Sequence, residues 1–492
     1  MHYVSTRDSS LRYSAAHAIE QGLSRDGGLF LPDKLPALPD LDQLAKMTYQ
    51  QRAVAVMKLF LDDFSAEELE TYAEKAYGPE KFDHQDVAPV VNLKEKTAVL
   101  ELWHGPTCAF KDMALQMLPH LLTASMRKNG EEKTVCILVA TSGDTGKAAL
   151  EGFCDVDHTK ILVFYPKDGV SDIQQLQMVT QSGENVGVCA VEGNFDDAQS
   201  GVKKIFSDAA YREDLLKKGY VLSSANSINW GRVLPQIVYY ISAYCDLLSK
   251  GSIKNGDSVD FCVPTGNFGN ILACYYAKKM GLPVGKMICA SNANNVLTDF
   301  ISNGVYDRNR PFYTTTSPSM DILISSNLER LLYDVTESDV QVREYMQKLA
   351  QDGCYEVSAQ VLERIQEHFV SGCCDDARTL ETIQSVYKEH GYLMDTHTAV
   401  AYAVLQDYRK QTGSTTPAVV VSTASPFKFC DSVLSALGVK EQKAGVQILS
   451  QLNEQTGCAV PKPLAALAGK QVRFTQVTKK DNMTDVVSGF LR

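Results

Sequence analysis

The stretch TVCILVA (134–140) is a run of β-branched and apolar residues that leads into the loop TSGDTG (141–146) and the helical pattern AALEGF (148–153). The same alternation recurs in KILVFYP (160–166) before DIQQLQMVTQ (172–181), and in NVGVCAV (185–191) before FDDAQSGVKKIF (195–206). Continuous apolar strands separated by single helices are typical of parallel strands buried on both faces. The pattern therefore predicts an α/β fold with right-handed crossovers.

The alternation continues towards the C-terminus in GYVLSS (219–224), GRVLPQIVYYISAYCDLL (231–248), SVDFCVP (258–264), ILACYYAKKM (271–280), GKMICAS (285–291), THTAVAYAVLQDY (396–408) and AVVVSTASP (418–426). In parallel sheets, ligands collect outside the carboxyl ends of the strands. The loops that follow these strands, TSGDTG, SSANSINW, TGNFGN and STASPF, are therefore the places where we expect functional side chains.

Three segments lie outside this alternation. Residues 1–90 read as a separate small domain with a helix, a DGG turn and the strand GLFLP (28–32). Residues 91–435 are predicted to form the α/β core, which is interrupted at about 303–396 by an inserted helical lobe. Residues 436–492 form a polar C-terminal segment with a final strand predicted at QVRFTQV (471–477).

The composition limits the class of protein. The chain has 492 residues, 45% of them hydrophobic and 22% charged, which is ordinary for a globular protein of two or three domains. A formal net charge of -11 argues against a nucleic-acid partner, which would require a basic face. The start of the chain lacks the apolar region of a secretory signal, and no apolar run is long enough for a membrane span. We therefore expect a cytoplasmic enzyme.

The cysteines and histidines show no spacing that is typical of disulfides or of a metal site. The 13 cysteines are odd in number and scattered, without a CxxC pair, and they read as reduced, mostly buried thiols. The 9 histidines show neither HxxxH nor HExxH spacing. We therefore predict no metal site.

The stretch WHGPTCAFKDMALQMLP (103–119) contains the main candidate for chemistry. Gly105 and Pro106 interrupt the chain, Thr107 can cap the segment after it, and apolar residues then recur at helical spacing. Lys111 therefore falls at the start of a helix, where the macrodipole disfavours a positive charge. A solvated lysine is the ordinary interpretation, and a desolvated amine able to form a Schiff base is the alternative.

Two glycine-containing loops are candidate anion sites. In PTGNFGN (264–270), glycines let successive N–H groups face one concavity at a helix start, which suits a phosphate, although a plain turn is the alternative. TSGDTGK (141–147) lacks the spacing of a P-loop. Its hydroxyls and backbone donors suit a carboxylate, whereas simple N-capping by Ser142 or Thr145 is the other interpretation. Neither loop has the GxGxxG pattern of dinucleotide-binding enzymes.

Three further side chains follow strands. Thr423 projects from the end of a predicted strand, where a hydroxyl can meet a ring nitrogen, although strand ends often carry threonine. Asn229 and Arg232 are spaced i, i+3 at a helix start and share a face. Arg232 can bind a phosphate or carboxylate with two hydrogen bonds, and a structural salt bridge is the alternative.

Five motifs occur in order along the chain: HGPTCAFKD (104–112), TSGDTGKAAL (141–150), NSINWGR (226–232), PTGNFGN (264–270) and STASPFKF (422–429). Together they resemble the threonine synthase family, which are pyridoxal-phosphate enzymes of the tryptophan synthase β-like group. GLSRDGGLFLP (22–32) also resembles the amino-terminal domain of that family. The resemblance implies PLP-dependent fold type II, with two open, twisted, mostly parallel sheets flanked by helices.

The resemblance also implies roles for individual residues. Lys111 is expected to form the Schiff base with pyridoxal 5'-phosphate (PLP), and Thr423 to face the pyridine nitrogen. The cofactor phosphate is expected to be held by Gly266, Asn267, Phe268, Gly269 and Asn270. The substrate carboxylate is expected to contact Ser142, Gly143, Asp144 and Thr145, and the substrate phosphate to face Asn229 and Arg232.

The implied reaction converts O-phospho-L-homoserine and water to L-threonine and phosphate, by γ-elimination and β-addition of water. The expected partner is thus a small phosphorylated amino acid, without nucleic acid or membrane, and the chain is expected to be a monomer or homodimer. One departure is that Ser425, Pro426 and Phe427 stand where the family often has histidine, proline and alanine. Two alternative functions therefore remain. One is a PLP-dependent phospholyase that releases phosphate and a keto acid from O-phospho-amino acids, and the other is a non-catalytic binding protein with the same fold.

Overall fold

The computed structural model describes residues 1–94 and 96–492. Its strands are β1 Tyr3–Ser5, β2 Asp8–Tyr13, β3 Phe30–Pro32, β4 Val90–Asn92, β5 Thr97–Glu101, β6 Thr134–Ala140, β7 Thr159–Pro166, β8 Val186–Glu192, β9 Tyr220–Ser223, β10 Val259–Pro264, β11 Val284–Ser291, β12 Val305–Asp307, β13 Cys354–Glu356, β14 Phe369–Cys373, β15 Ala418–Ser422 and β16 Val477–Lys479. Within these residues the strands form four sheets.

The helices alternate with the strands through most of the chain. They are α1 Ala15–Gln21, α2 Leu41–Leu44, α3 Tyr49–Met57, α4 Ala66–Tyr77, α5 Asp112–Leu115, α6 Leu118–Asn129, α7 Asp144–Phe153, α8 Asp172–Val179, α9 Phe195–Ser207, α10 Ala209–Lys217, α11 Trp230–Ser249, α12 Gly269–Lys279, α13 Val296–Asn303, α14 Leu328–Thr336, α15 Asp339–Gln351, α16 Ala359–His368, α17 Asp376–His390, α18 Thr396–Thr412, α19 Cys430–Ala436, α20 Gln447–Thr456, α21 Lys462–Ala465 and α22 Met483–Phe490. Among the described residues, none of them has the length and apolarity to cross a bilayer.

Two sheets carry the catalytic-core pattern predicted from the sequence. One has the strand order β14-β11-β10-β15-β5-β4, with β4 antiparallel to β5 and the other neighbours parallel. The other has the order β16-β8-β7-β6-β9 and is parallel. Their central strands are buried because apolar side chains on both faces pack against helices. The two open, mostly parallel sheets are therefore as predicted.

Two segments differ from the sequence-based expectation. The segment at about 303–396 is mostly helical, but it also contains the antiparallel pair β12–β13 and the strand β14, which extends the main sheet beside β11. It is therefore part of the core rather than a purely helical insertion. FVSGC was missed because β14 is a short edge strand with only its first residue fully buried.

The strand prediction at 471–477 was also wrong. The structure has irregular backbone over most of that segment, and the strand is β16, which pairs with the end of β8. β16 is 3 residues long and mostly exposed, so its strand conformation is set by the edge of β8 rather than by its own side chains.

The N-terminal segment packs directly on the core. β1 lies between β2 and β3 in an antiparallel sheet, and Tyr3 packs edge-on against the buried Trp230 ring, with ring centroids 5.6 Å apart. Arg52 in α3 is buried and donates to Leu44 O (2.8 Å), Ser242 Oγ (2.7 Å) and Asp246 Oδ1 (2.6 Å). A single guanidinium thus connects α3 with α11.

Replacing Arg52 with methionine should lower the free energy of unfolding by roughly 3–5 kcal/mol, because Asp246 keeps its charge in a mostly buried position without a partner. Denaturant titration measures this loss. Lys218→Ala is the control, since the Lys218–Asp214 pair is exposed and its loss should cost less than about 1 kcal/mol. An Arg52→Met variant as stable as the control would contradict the structural role.

Candidate active site

The loop before Lys111 is shaped by the carboxylate of Asp112. Thr107 donates to it from its N–H (2.8 Å) and its hydroxyl (2.7 Å), so Thr107 bonds this side chain instead of capping the helix as the sequence suggested. Burial raises the pKa of Asp112 to about 6, against the hydrogen bonds from Thr107. Lys111 immediately precedes α5, as predicted.

Main-chain hydrogen bonds fix this loop to the end of β15. Phe110 N–H donates to Thr423 O (2.8 Å), and Ser425 N–H donates to Cys108 O (3.1 Å). Trp103 Nε1 adds a bond to Ser422 Oγ (3.0 Å). Lys111 and Thr423 are therefore held at the same carboxyl edge of the main sheet, although they are far apart in sequence.

The Lys111 amine is buried beside a carboxylate. Its Nζ lies 3.7 Å from Asp144 Oδ2 and 4.7 Å from the centroid of the Phe110 ring, and the residue is 9% exposed. Burial lowers the pKa of Lys111 to about 8, Asp144 opposes this, and Lys428 and Arg232 lower it further. The interpretation of Lys111 as a solvated lysine is therefore wrong. Lys111 is a buried amine whose pKa lies close to physiological pH.

Asp144 is the acid that balances this amine. Its Oδ1 lies 2.8 Å from Lys428 Nζ and accepts from Gln174 Nε2 (2.9 Å). Burial opposes ionisation, but Lys428 and Lys111 hold the pKa of Asp144 well below its usual range. A carboxylate between two lysines would repel the substrate carboxylate, so the geometry gives the Asp144 side chain a different role from the one expected.

Lys428 was missed by the sequence analysis. Its ammonium is fully buried and also donates to Thr107 O (2.9 Å), so it joins Asp144 to the lysine loop. The residue lies within STASPFKF, but Thr423 carried the functional prediction for that motif. A lysine inside a motif that follows a buried strand was the available signal.

The TSGDTG loop is held together by a threonine hydroxyl. Thr141 Oγ1 accepts from the N–H groups of Gly143 (3.0 Å) and Gly146 (2.9 Å), so the capping expected of Ser142 or Thr145 falls to Thr141. Ser142 and Thr145 are half-buried. Gly143 has φ 135°, and a Cβ there would lie 2.5 Å from the Gln174 side chain, so glycine is required.

The TGNFGN loop forms a cradle of N–H groups. Within residues 1–94 and 96–492, no acceptor is hydrogen-bonded to the backbone N–H groups of 266–270, which lead into α12. The carbonyl oxygens of Gly266 and Asn267 instead accept from Ser325 Oγ (2.8 Å) and Asn327 N–H (3.0 Å). Free amides at a helix start bind anions, so the loop fits the phosphate of PLP.

Two residues of this loop show its constraints. Phe268 has φ 65°, an uncommon conformation that its buried ring helps to hold by packing against Phe369, with ring centroids 5.6 Å apart. Asn270 is buried and accepts from the hydroxyls of Tyr239 (2.5 Å) and Tyr240 (2.6 Å). Its Nδ2 has no partner among the described residues, which leaves a donor for a ligand.

Asn229 and Arg232 differ in how far their hydrogen-bonding groups are already paired within the protein. Asn229 accepts from Gly231 N–H (2.8 Å) and donates to Ile19 O (2.9 Å), so it caps α11 and binds the N-terminal unit. This structural role was not expected. Arg232 is buried and donates to Ala225 O (2.7 Å), while its Nε has no partner in the described part of the chain. Burial lowers the pKa of Arg232 to about 10.

Ser319 connects these loops. Its Oγ lies 3.5 Å from Asp144 Oδ2, and its carbonyl oxygen would lie 2.7 Å from a Cβ at Gly266. The lysine loop, TSGDTG and TGNFGN therefore meet around one crevice. No sequence signal marks Ser319, because it lies outside the five motifs.

Family models match nearly the whole chain. Residues 2–77 match "Threonine synthase N terminus", residues 88–425 match "Pyridoxal-phosphate dependent enzyme", and residues 398–487 match "Threonine synthase, C-terminal". The chain belongs to the threonine synthase family of PLP-dependent enzymes. The family, fold class and cofactor predicted from the sequence are therefore confirmed.

Individual members of the threonine synthase family align over most of the chain. Threonine synthase from Pseudomonas aeruginosa is 40% identical over 471 residues, covering 94% of this chain and 97% of that protein. Human threonine synthase-like 1 is 42% identical over 460 residues, which is 89% of this chain but 61% of that protein. The PLP-bound threonine synthase from Brucella melitensis matches with a TM-score of 0.88 at 38% identity, over 100% of both chains.

Removing the charge of Asp144 should shift the titration of Lys111. In the cofactor-free wild type, reaction of this amine with pyridoxal should rise with pH through about 8, because only the neutral amine adds to an aldehyde. Asp144→Asn removes the carboxylate that favours the ammonium, so the midpoint should move to lower pH. Borohydride trapping followed by mass spectrometry measures the rates.

Glu151→Gln is the matched control, because this carboxylate also lies on α7 but pairs with Lys147, at 3.0 Å. Its profile should match that of the wild type. A midpoint in Asp144→Asn that stays in place or rises would contradict the assigned electrostatics.

Proposed function

We propose that the protein is a threonine synthase that converts O-phospho-L-homoserine and water to L-threonine and phosphate. The observation that carries this proposal is the buried guanidinium of Arg232. Its Nε has no partner among residues 1–94 and 96–492, and its charge lowers the pKa of Lys111. A substrate phosphate would satisfy it. The TGNFGN cradle supplies a separate place for the cofactor phosphate, and a reaction with two phosphate groups needs two such sites.

The residues of the crevice suggest how PLP would be held. The N–H groups of 266–270 would bind its phosphate together with the Nδ2 of Asn270, which has no partner among the described residues, and Thr423 would face its pyridine nitrogen. Lys111 would bind its aldehyde carbon. When bound, PLP stabilises negative charge at the carbon atoms of an attached amino acid and makes their protons acidic.

Lys111 is the residue best suited to move those protons. A pKa of about 8 leaves a useful fraction of the amine neutral near physiological pH. Nζ can therefore accept the α-proton and then donate it to another atom of the bound amino acid. Asp144, 3.7 Å away, stabilises the ammonium that forms. Lys428 keeps Asp144 ionised, so that the carboxylate does not compete for the same proton.

The remaining predicted residues have positioning or binding roles in this proposal. Ser142 and Thr145, with the N–H groups at the start of α7, would bind the substrate carboxylate. Asn229 would hold the start of α11, which carries Arg232. The cytoplasmic location and the monomeric or homodimeric state stay predictions.

The decisive assay is incubation of the purified, PLP-loaded protein with O-phospho-L-homoserine, with amino-acid analysis of the products. We expect L-threonine and phosphate in equal amounts. A keto acid with phosphate would instead identify the phospholyase, and no turnover would favour the binding protein. Lys111→Ala should lose at least about a thousandfold in kcat, because both cofactor attachment and proton transfer depend on it.

Lys128→Ala controls for general effects of losing a lysine, since Lys128 pairs with Glu68 at the surface, at 2.9 Å. It should keep wild-type turnover. Full activity in Lys111→Ala would show that another lysine serves the reaction.

Arg232→Met should raise KM for O-phospho-L-homoserine by roughly 10- to 100-fold, the effect of losing a charge-assisted hydrogen bond. Inhibition by inorganic phosphate should weaken in parallel. Binding of PLP, measured by its visible absorbance, should be unchanged. If PLP affinity fell while KM stayed constant, Arg232 would belong to the cofactor site instead.

A further inference from the structure

Arg330 is a buried cation whose position is not explained by local stability. It is fully buried in the first turn of α14, where the helix macrodipole disfavours positive charge. Burial lowers the pKa of Arg330 to about 10, although Tyr276 and Glu329 oppose this. In the part of the chain that the structure describes, its three hydrogen-bond acceptors are neutral oxygens and no carboxylate forms an ion pair with it.

These acceptors belong to three separate parts of the molecule. Nε donates to Phe30 O (2.9 Å) in the N-terminal sheet, and Nη2 donates to Ile228 O (2.6 Å) just before α11. Nη1 donates to Asn327 Oδ1 (2.5 Å). The planar guanidinium thus fixes the orientation of the Asn327 amide while it is itself held from two other sides.

Asn327 in turn holds the TGNFGN loop. Its N–H (3.0 Å) and its Nδ2 (3.2 Å) both donate to Asn267 O. In a trans peptide the C=O and N–H groups point in opposite directions. Fixing Asn267 O towards Asn327 therefore turns the N–H of Phe268 towards the opposite side, where the cradle lies.

We propose that Arg330 is a positioning residue for the cofactor phosphate, acting through Asn327 on the peptide between Asn267 and Phe268. It does not contact the phosphate itself. The inference rests on the proposed function only in placing the PLP phosphate in this cradle. It adds that the affinity for that phosphate depends on a buried arginine in α14.

The test compares two ligands of the 492-residue chain after removal of its cofactor. PLP uses the cradle, whereas pyridoxal lacks the phosphate and does not. Dissociation constants for both are measured by absorbance titration, and the ratio of the pyridoxal constant to the PLP constant reports the cradle. A general loss of structure would weaken both ligands, but a misplaced peptide would weaken PLP selectively.

Arg330→Lys keeps the charge but cannot donate to three oxygens in the planar arrangement of a guanidinium. It should lower the ratio by roughly tenfold, as expected for the loss of about one well-oriented hydrogen bond. Asn327→Ala keeps the backbone donor to Asn267 O and should lower the ratio in the same direction by a smaller factor. This second variant keeps the test valid if Arg330→Lys fails to fold.

Glu329→Gln is the matched control. Glu329 is the adjacent buried charge, but its partners are Arg7 and Thr6 in the N-terminal unit, at 2.8 Å and 2.6 Å. Its ratio should equal that of the wild type. An unchanged ratio in both test variants, or an equal fall in Glu329→Gln, would overturn the inference. Failure of the wild type to bind PLP would instead refute the proposed function.

Discussion

Asp144 stabilises the ammonium form of the buried Lys111 amine and so limits the fall in its pKa that burial causes. Removing an ammonium group from water is costly, and the nearby carboxylate offsets part of that cost. Asp144 would itself be unstable as a buried ion without Lys428 on its other side. The three charges therefore form one unit, and the loops that carry them must be held together to maintain the pKa values of Lys111 and Asp144.

The rest of the crevice depends on placing the loops that follow three strands at the carboxyl edges of two sheets. The parallel strands β15, β6 and β10 end at neighbouring sheet edges. The loops that follow them carry Lys428, Asp144 and the TGNFGN cradle, respectively. Main-chain bonds to the end of β15 then fix the lysine loop. The fold thus brings together residues that are far apart in sequence, in part through strand order and main-chain hydrogen bonds rather than through side-chain contacts.

The sequence predicted the elements whose signal is local. Buried parallel strands are continuous apolar runs, and turns at glycine-rich loops are set by residue type, so most strands of the two sheets and the motif loops could be placed, although β4, β5 and β14 were not. What could not be predicted depends on partners. Lys428 gains its role from Asp144, Asn229 from Ile19 O, and β16 from the edge of β8. None of these partners is visible from the segment itself.

The bonds between the lysine loop and residues 423–425 use backbone atoms on both sides. Backbone geometry is the same for nearly every residue type, so changes in the side chains of residues 425–427 need not move the reactive amine. The unusual Ser425, Pro426 and Phe427 are accommodated in this way, with the Ser425 hydroxyl accepting from Phe427 N–H. Substitutions at residues 425–427 can therefore change the surroundings of the substrate without moving Lys111.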